Sequence, residues 1–414
     1  MKMKPTVELM TEKAKLVKGV RQNVDLLIRV TPPERDAAPN KRPKLNIGIA
    51  LDRSGSMGGP KMNHAREAAK YCVDQLLSND NFSAVIFDDQ VDVLFTNQPV
   101  SDREMLKRGI ERIEARNSTA LHEGWVKSGL QVSERLEPNA INRVLLITDG
   151  QANVGETNID RIVSQAGELA GKNITTTTIG IGSDFNEDLL IPMAAAGGGN
   201  AWHVKEPQDT VTIFETELHG LARQFGRGVR LSVRCPDGVR VVDLLNDFEK
   251  DGSGGYILPD LLSGSPLNIV VRLDVSGDLL DGKLADVDLS YTSQESGATE
   301  SVSLKFSTDF DTEEAIAALE TNPDVEQAVV LLMNARARRE AMEHIDRGDF
   351  SGALFCVADP SREVARLYSR TGSEALKDEM DDLESVQQIL FSREDDLMAR
   401  KRLAYRREST RKGR

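Results

Sequence analysis

Between residues 45 and 222 the hydrophobic pattern switches repeatedly between two forms. Residues 45–51, 82–87, 143–147 and 174–181 are short apolar runs without polar alternation, as expected of central strands covered on both faces. Between them apolar residues recur at three- and four-residue steps. After Pro60, which suits a first helical position, come Met62, Ala65, Ala69, Cys72 and Leu76, one stripe to lay against a sheet. Further helices are predicted over 120 to about 136, near 160–171, and near 209–225 with Phe214, Leu218 and Leu221 facing in. This rhythm predicts a doubly wound α/β domain.

On either side the period changes to two. Val24, Leu26, Ile28 and Val30 alternate with polar neighbours. So do Val229, Leu231, Val233 and Cys235, then Leu267, Ile269, Val271, Leu273 and Val275, then Val287, Leu289 and Tyr291. Such segments are half-buried antiparallel strands. An N-terminal hairpin over 6–30 is too small to stand alone in water, so it must pair with strands after 226. The expectation is one antiparallel β-sandwich with the α/β domain inserted into it. From Asp311 onward the pattern is helical. Asn322-Pro323 makes a cap and first turn ahead of Val325, Val329, Leu332 and Met333; residues 345–350 form the turn of an αα-hairpin; Leu376, Met380, Leu383, Val386 and Leu390 mark a long amphipathic helix. The predicted division is 1–44 for the N-terminal sandwich strands, 45–222 for the α/β domain, 223–310 for the rest of the sandwich, and 311–414 for a helical region with a basic tail.

Composition narrows the class. Hydrophobic residues at 39% and charged residues at 29% are those of a globular protein, and no apolar run reaches the roughly 18 residues of a membrane span. The first residues, Met1-Lys2-Met3-Lys4-Pro5-Thr6-Val7-Glu8, do not run into an apolar stretch and fail as a secretory signal; a cytoplasmic protein is expected. Cys72, Cys235 and Cys356 lie more than a hundred residues apart and make no Cys-x-x-Cys spacing, so neither a zinc site nor a disulfide framework is implied. The net charge of -14 is unevenly spread, because residues 400–414 hold eight Lys/Arg and one Glu, leaving 44 basic against 65 acidic residues elsewhere. The body should repel nucleic acid, so only the tail 400–414 is a candidate for binding it.

The strongest chemical feature lies where the first central strand ends, Asp52-Arg53-Ser54-Gly55-Ser56-Met57-Gly58-Gly59. Ligands of such sheets bind at the carboxyl ends of strands. Alternating Asp52, Ser54 and Ser56 put one carboxylate and two hydroxyls on a tight turn, and Thr119 and Asp149 follow on loops that the topology brings to the same edge. Five hard oxygen donors with only two carboxylates suit Mg2+, with Mn2+ or Ca2+ as alternatives; nothing soft is present for zinc or copper. With so few carboxylates a bound +2 ion keeps an open, anion-attracting position.

The Asp-x-Ser-x-Ser loop, Thr119 and the Thr148-Asp149-Gly150 triplet resemble the metal-ion-dependent adhesion site of von Willebrand factor A (VWA) domains, which are Rossmann-like, over residues 45–222. The resemblance implies that Ser54 and Ser56 bind the metal directly, Thr119 directly or through water, and Asp52 and Asp149 through water, while an Asp or Glu of a protein partner completes the shell. Ser118 departs from the glycine that many relatives carry there. The flanking strands and helical C-terminus are similar to bacterial intracellular members of the family. The implied function is a non-enzymatic adaptor. An alternative is a metal-switched subunit of an ATP-driven, chelatase-like assembly, with an ATPase as partner.

Other chemistry is less well served. Phosphoryl transfer from Asp52 would want a carboxylate two residues on, where Ser54 stands, and there is no Gly-x-Ser-x-Gly elbow or phosphate loop. His122-Glu123 lacks the second histidine of a zinc protease helix, and His64, His203, His219 and His344 form no metal spacing. Residues 195–200, Ala-Ala-Gly-Gly-Gly-Asn, read as a helix end and turn. The basic tail is expected to be a helix end that folds onto the acidic stretch 378–384, with nucleic acid or an anionic membrane as the alternatives.

Overall fold

The computed structural model describes residues 4–34, 42–137, 139–149, 153–182, 185–204, 207–279, 281–392 and 396–412. Gly150 and the tail's Gly413 and Arg414 lie outside the described residues, as does the side chain of His219. Two compact units emerge: Met1–Arg35 with Gln224–Gln294 and Ala298–Arg414, and Asp36–Arg223 with Glu295–Gly297.

The second unit holds a six-stranded mixed sheet in the order Val91–Pro99, Asn81–Phe87, Leu45–Asp52, Ile141–Thr148, Thr175–Ile181, Gly198–Val204. All pairings are parallel except that of the edge strand Val91–Pro99, which is antiparallel to its neighbour. Leu45, Ile47, Ile49 and Leu51 share one core with Met62, Ala65, Ala69 and Cys72 of helix Pro60–Gln75 and with Phe214, Leu218 and Leu221 of helix Pro207–Ala222. The alternate positions face helix Leu121–Ser133. There Gly48 is required for close packing, because a Cβ would lie 2.6 Å from Val132 Cγ2. Both faces of the central strand are covered, which is why it reads as an unbroken apolar run. The edge strand Val91–Pro99 and helix Arg103–Glu111 were not predicted; the strand is half exposed and carries Asp92, Asn97 and Gln98, so its apolar run is only the three residues Val93-Leu94-Phe95.

The first unit contains two antiparallel sheets. One is ordered Thr6–Thr11, Gln22–Thr31, Leu267–Val275, Val239–Leu244; the other runs Tyr256–Ile257, Gln224–Arg234, Lys283–Ser293, Thr299–Ser307, with Leu261–Leu262 also on Gln224–Arg234. The N-terminal hairpin is present, and Gln22–Thr31 pairs with Leu267–Val275 over its length. Leu26, Ile28, Ile269 and Val271 share a core with Val229, Leu231, Val287 and Leu289. The intervening Leu27 and Val270 are also fully buried, packed with Leu245 against Val325, Ala328 and Leu332 of helix Pro323–Asp346. The apolar residues at 27 and 270 break the two-residue alternation for this reason.

Helices Pro323–Asp346, Phe350–Thr371, Glu374–Ser392 and Asp396–Arg411 pack in succession, the last returning to the first. Asn322 caps the first of them by accepting the Asp324 N–H at 3.0 Å, with Pro323 next. The basic tail is thus a helix, and its charges meet the acidic stretch: Arg402 Nε lies 3.1 Å from Asp382 and Arg406 Nε 3.1 Å from Glu379. Arg338 is fully buried between Glu379, at 3.0 Å, and Asp382, at 2.9 Å. Glu379 is itself fully buried, so removal of the Arg338 guanidinium takes away the cation buried with it and leaves the charge to the half-exposed Arg406. Arg338→Ala is expected to cost about 3–5 kcal/mol in urea unfolding, whereas Arg338→Met combined with Glu379→Leu should retain most of the stability.

Candidate metal centre

Strand Leu45–Asp52 ends on a buried carboxylate. Asp52 Oδ1 accepts the Ser54 backbone N–H at 2.8 Å, and Oδ2 accepts the Thr148 hydroxyl at 2.5 Å. One side chain thereby ties the loop to the end of the neighbouring strand. Burial pushes the Asp52 carboxyl up to about 6, against the hydrogen bonds from Thr148 and Ser54, and with a further upward push from Asp149. The chain then makes a short 3-10 turn over Gly55–Met57, and Gly59, at φ +73°, turns it into helix Pro60–Gln75. A positive φ is cheap only for glycine.

The turn brings the Ser54 and Ser56 hydroxyl oxygens to 3.1 Å. Ser56 Oγ donates to Asp149 Oδ1 at 2.8 Å, across from the end of the next strand. Asp149 Oδ2 accepts from Lys61 Nζ at 2.6 Å. The loop carrying Thr119 is laced to the same place by its backbone: Arg116 N–H donates to Arg53 O at 2.7 Å, Gly55 N–H to Asn117 O at 2.8 Å, and Ala120 N–H to Asp88 O at 2.6 Å. Asn117, at φ +58°, is the left-handed position of that loop. Ser54, Thr119 and Asp149 are buried while Ser56 is exposed, so the cluster opens to solvent on one side.

Arg53, within the motif, turns away from the hydroxyls. Its guanidinium lies 3.2 Å from Asp88 and 2.5 Å from Asp92, and Arg116 reaches Asp88 at 2.5 Å. Burial pushes Asp88 up, but the Gln90 N–H and the two guanidiniums outweigh it and hold the carboxyl below its ordinary value. Arg53 therefore braces the loop from behind.

An octahedral ion with bonds of about 2.1 Å needs neighbouring oxygens about 3.0 Å apart, close to the 3.1 Å between Ser54 and Ser56 Oγ. The donor set is hydroxyl-rich, and among the described residues no group of three or more His, Cys, Asp or Glu is placed to hold a metal. These side chains fit a hard divalent ion. Asp52, Ser54, Ser56 and Asp149 are joined by hydrogen bonds, and Thr119 stands on the loop whose Asn117 carbonyl accepts the Gly55 N–H. Two participants had no role assigned from sequence. Thr148 was visible only as part of the Thr-Asp pair, and Lys61 carried no signal beyond standing just after Pro60.

The other candidates have structural partners. His122 contacts Gln165 at 2.5 Å, His203 the Gly182 carbonyl at 2.7 Å, and His344 Asp349 at 2.8 Å. Gly197 closes helix Glu187–Ala196, its N–H bonded to Met193 O at 2.9 Å.

A doubly wound sheet with an oxygen-donor loop at the carboxyl end of its central strand defines a small class of α/β domains. Residues 46–216 match the family described as von Willebrand factor type A domain, and the α/β unit is a VWA domain. An uncharacterized Synechocystis protein, sll0103, is 29% identical over 175 residues, covering 42% of this chain and 41% of that one. Human inter-alpha-trypsin inhibitor heavy chain H2 is 30% identical over 176 residues, covering 40% and 18%. The chain thus spans about two fifths of the first relative and under a fifth of the second. A solved structure, von Willebrand factor type A from Catenulispora acidiphila, covers 93% of this chain and 90% of its own at 19% identity, with a TM-score of 0.70. This likeness shows a fold shared over nearly the whole chain.

The raised Asp52 carboxyl makes a prediction for the metal-free protein. Its folded value near 6 lies above the ordinary 3.8, so the contribution to stability is present below about pH 4 and is lost as the pH rises through about 6. In the presence of chelator at about pH 7.5, Asp52→Asn should be more stable than wild type by about 2–3 kcal/mol. The difference should vanish near pH 4 in urea unfolding.

Proposed function

We propose that the α/β unit is a non-enzymatic, divalent-metal-dependent protein-interaction module and that the chain acts as an adaptor. The observation that carries this is the hydrogen-bonded run of oxygens from the Ser54 hydroxyl to that of Ser56, 3.1 Å apart, and on from Ser56 Oγ to Asp149 Oδ1 at 2.8 Å. Ser54 and Ser56 would hold Mg2+ directly, Thr119 directly or through water, and Asp52 and Asp149 through water; Mn2+ and Ca2+ are alternatives. The ion supplies a Lewis-acidic position for one further oxygen. Asp52 anchors the loop, Asp149 orients the Ser56 hydroxyl, and the exposed side of the cluster admits an Asp or Glu of a partner. VWA domains generally mediate protein–protein interactions, which supports the reading.

We read the two antiparallel sheets as one sandwich that carries the VWA domain as an insert, with divisions at 1–44, 45–222, 223–310 and 311–414. We assign the protein to the cytoplasm. All three cysteines are unpaired, which suits a reducing compartment, and among the described residues no helix is long and apolar enough to cross a membrane.

Mg2+ at about 100 times its Kd is expected to stabilise the protein by about 2.7 kcal/mol, seen as a rise in thermal midpoint that chelator reverses. Ser54→Ala with Ser56→Ala should abolish the rise and the Mg2+-dependent recovery of partners in a pull-down. Equal recovery of every partner by wild type and double variant would sink the capture mechanism.

A further inference from the structure

Lys61 is the second residue of helix Pro60–Gln75, whose first turn contains no acidic residue. A cation there faces the positive end of the helix dipole, so another interaction must hold it. One such interaction is with Asp149: Lys61 Nζ lies 2.6 Å from Oδ2, and the side-chain exposures are 24% for the lysine and 0% for the aspartate. The lysine stem crosses the bare backbone of Gly182, at φ +82°, where a Cβ would lie 2.9 Å from Lys61 Cε. The path of the side chain is therefore built into two elements. The nearby guanidiniums of Arg53 and Arg116 are engaged by Asp88 and Asp92.

We propose that Lys61 is a built-in counter-cation of the metal centre. It neutralises Asp149 in the metal-free protein, weakens divalent-ion binding, and leaves the loaded centre with an excess positive charge that selects an anionic ligand. The proposal rests on the metal reading above and deepens it. Among these three side chains, Asp52 and Asp149 when ionised bring two negative charges and Lys61 returns one. A divalent ion then takes the centre from one negative to one positive charge, and a carboxylate brings it to neutrality. Without Lys61 the loaded centre would already be neutral and would attract an anion less strongly. The lysine thus trades metal affinity for ligand selectivity.

The test uses the full chain as wild type, Lys61→Met, Lys61→Arg, Asp149→Asn and the Lys61→Met/Asp149→Asn double variant. Mg2+ affinity is measured by calorimetry, and thermal midpoints are measured in chelator and in Mg2+ with and without acetate. Lys61→Met should bind Mg2+ at least about tenfold tighter, the scale expected when one unit of positive charge a few Å from a divalent ion is removed even at a dielectric near that of bulk water. Its midpoint in chelator should fall, and acetate should raise its Mg2+-loaded midpoint less than that of wild type. Lys61→Arg keeps the charge and should stay near wild type in all three. In the Asp149→Asn background, Lys61→Met should lower the chelator midpoint less than it does in the wild-type background. Mg2+ binding by Lys61→Met that is equal to or weaker than wild type overturns the proposal, since the lysine would then only hold Asp149 in place. Should Lys61→Met fail to fold, Lys61→Gln serves in its stead. Absence of any Mg2+ response in wild type and every variant overturns the metal centre itself, and this inference with it.

Discussion

The candidate centre depends on the Asp52 carboxylate buried at the end of the central strand. It accepts one hydrogen bond from its own loop, at Ser54 N–H, and one from the adjacent strand, at Thr148 Oγ1. A buried carboxylate is costly unless hydrogen-bonded, and the two donors offset only part of that cost, as the upward displacement to about 6 shows. The loop is held in a shape that presents Ser54 and Ser56 to one point, and the strand end that carries Thr148 also carries Asp149. The remaining oxygen donors are placed relative to Asp52.

Around this anchor the charges are separated into two groups. Behind the loop, Arg53 and Arg116 meet Asp88 and Asp92. In front, Asp149 meets Ser56 and Lys61. Segregation of this kind directs the arginine side chain of the motif to Asp88 and Asp92, while the backbone bonds from Arg116 N–H to Arg53 O and from Gly55 N–H to Asn117 O hold the loop. The front group is hydroxyl-rich and carries few charges, which suits a hard ion that keeps an open position.

The first unit follows a different logic. Its two sheets share an apolar core, and the outer face of one sheet is covered by helix Pro323–Asp346. The four long helices bury Arg338 and Glu379, a pair that stabilises little by comparison with an apolar substitute but penalises any arrangement that separates them. The basic residues at 402 and 406 are drawn into the same network, so much of the tail's charge is answered within the unit.

The chain's periodicity alone determined the α/β unit, the antiparallel strands at 22–31, 229–235 and 267–275, and the long helices, because burial of a strand or helix face leaves a repeat that can be read without knowing the partner. The same was true of the oxygen-rich turn, since Asp52, Ser54 and Ser56 are adjacent in the chain. Tertiary structure decided the rest. The edge strand Val91–Pro99 is half exposed and bears an apolar run of only three residues, and the burial of Leu27 and Val270 depends on a helix some 300 residues distant from the first of them in sequence. The roles of Thr148 and Lys61 were likewise invisible, because each is defined by a contact between loops far apart in the chain: Thr148 with Asp52, and Lys61 with Asp149. Local repeats record which face is buried; they do not record which charge stands opposite.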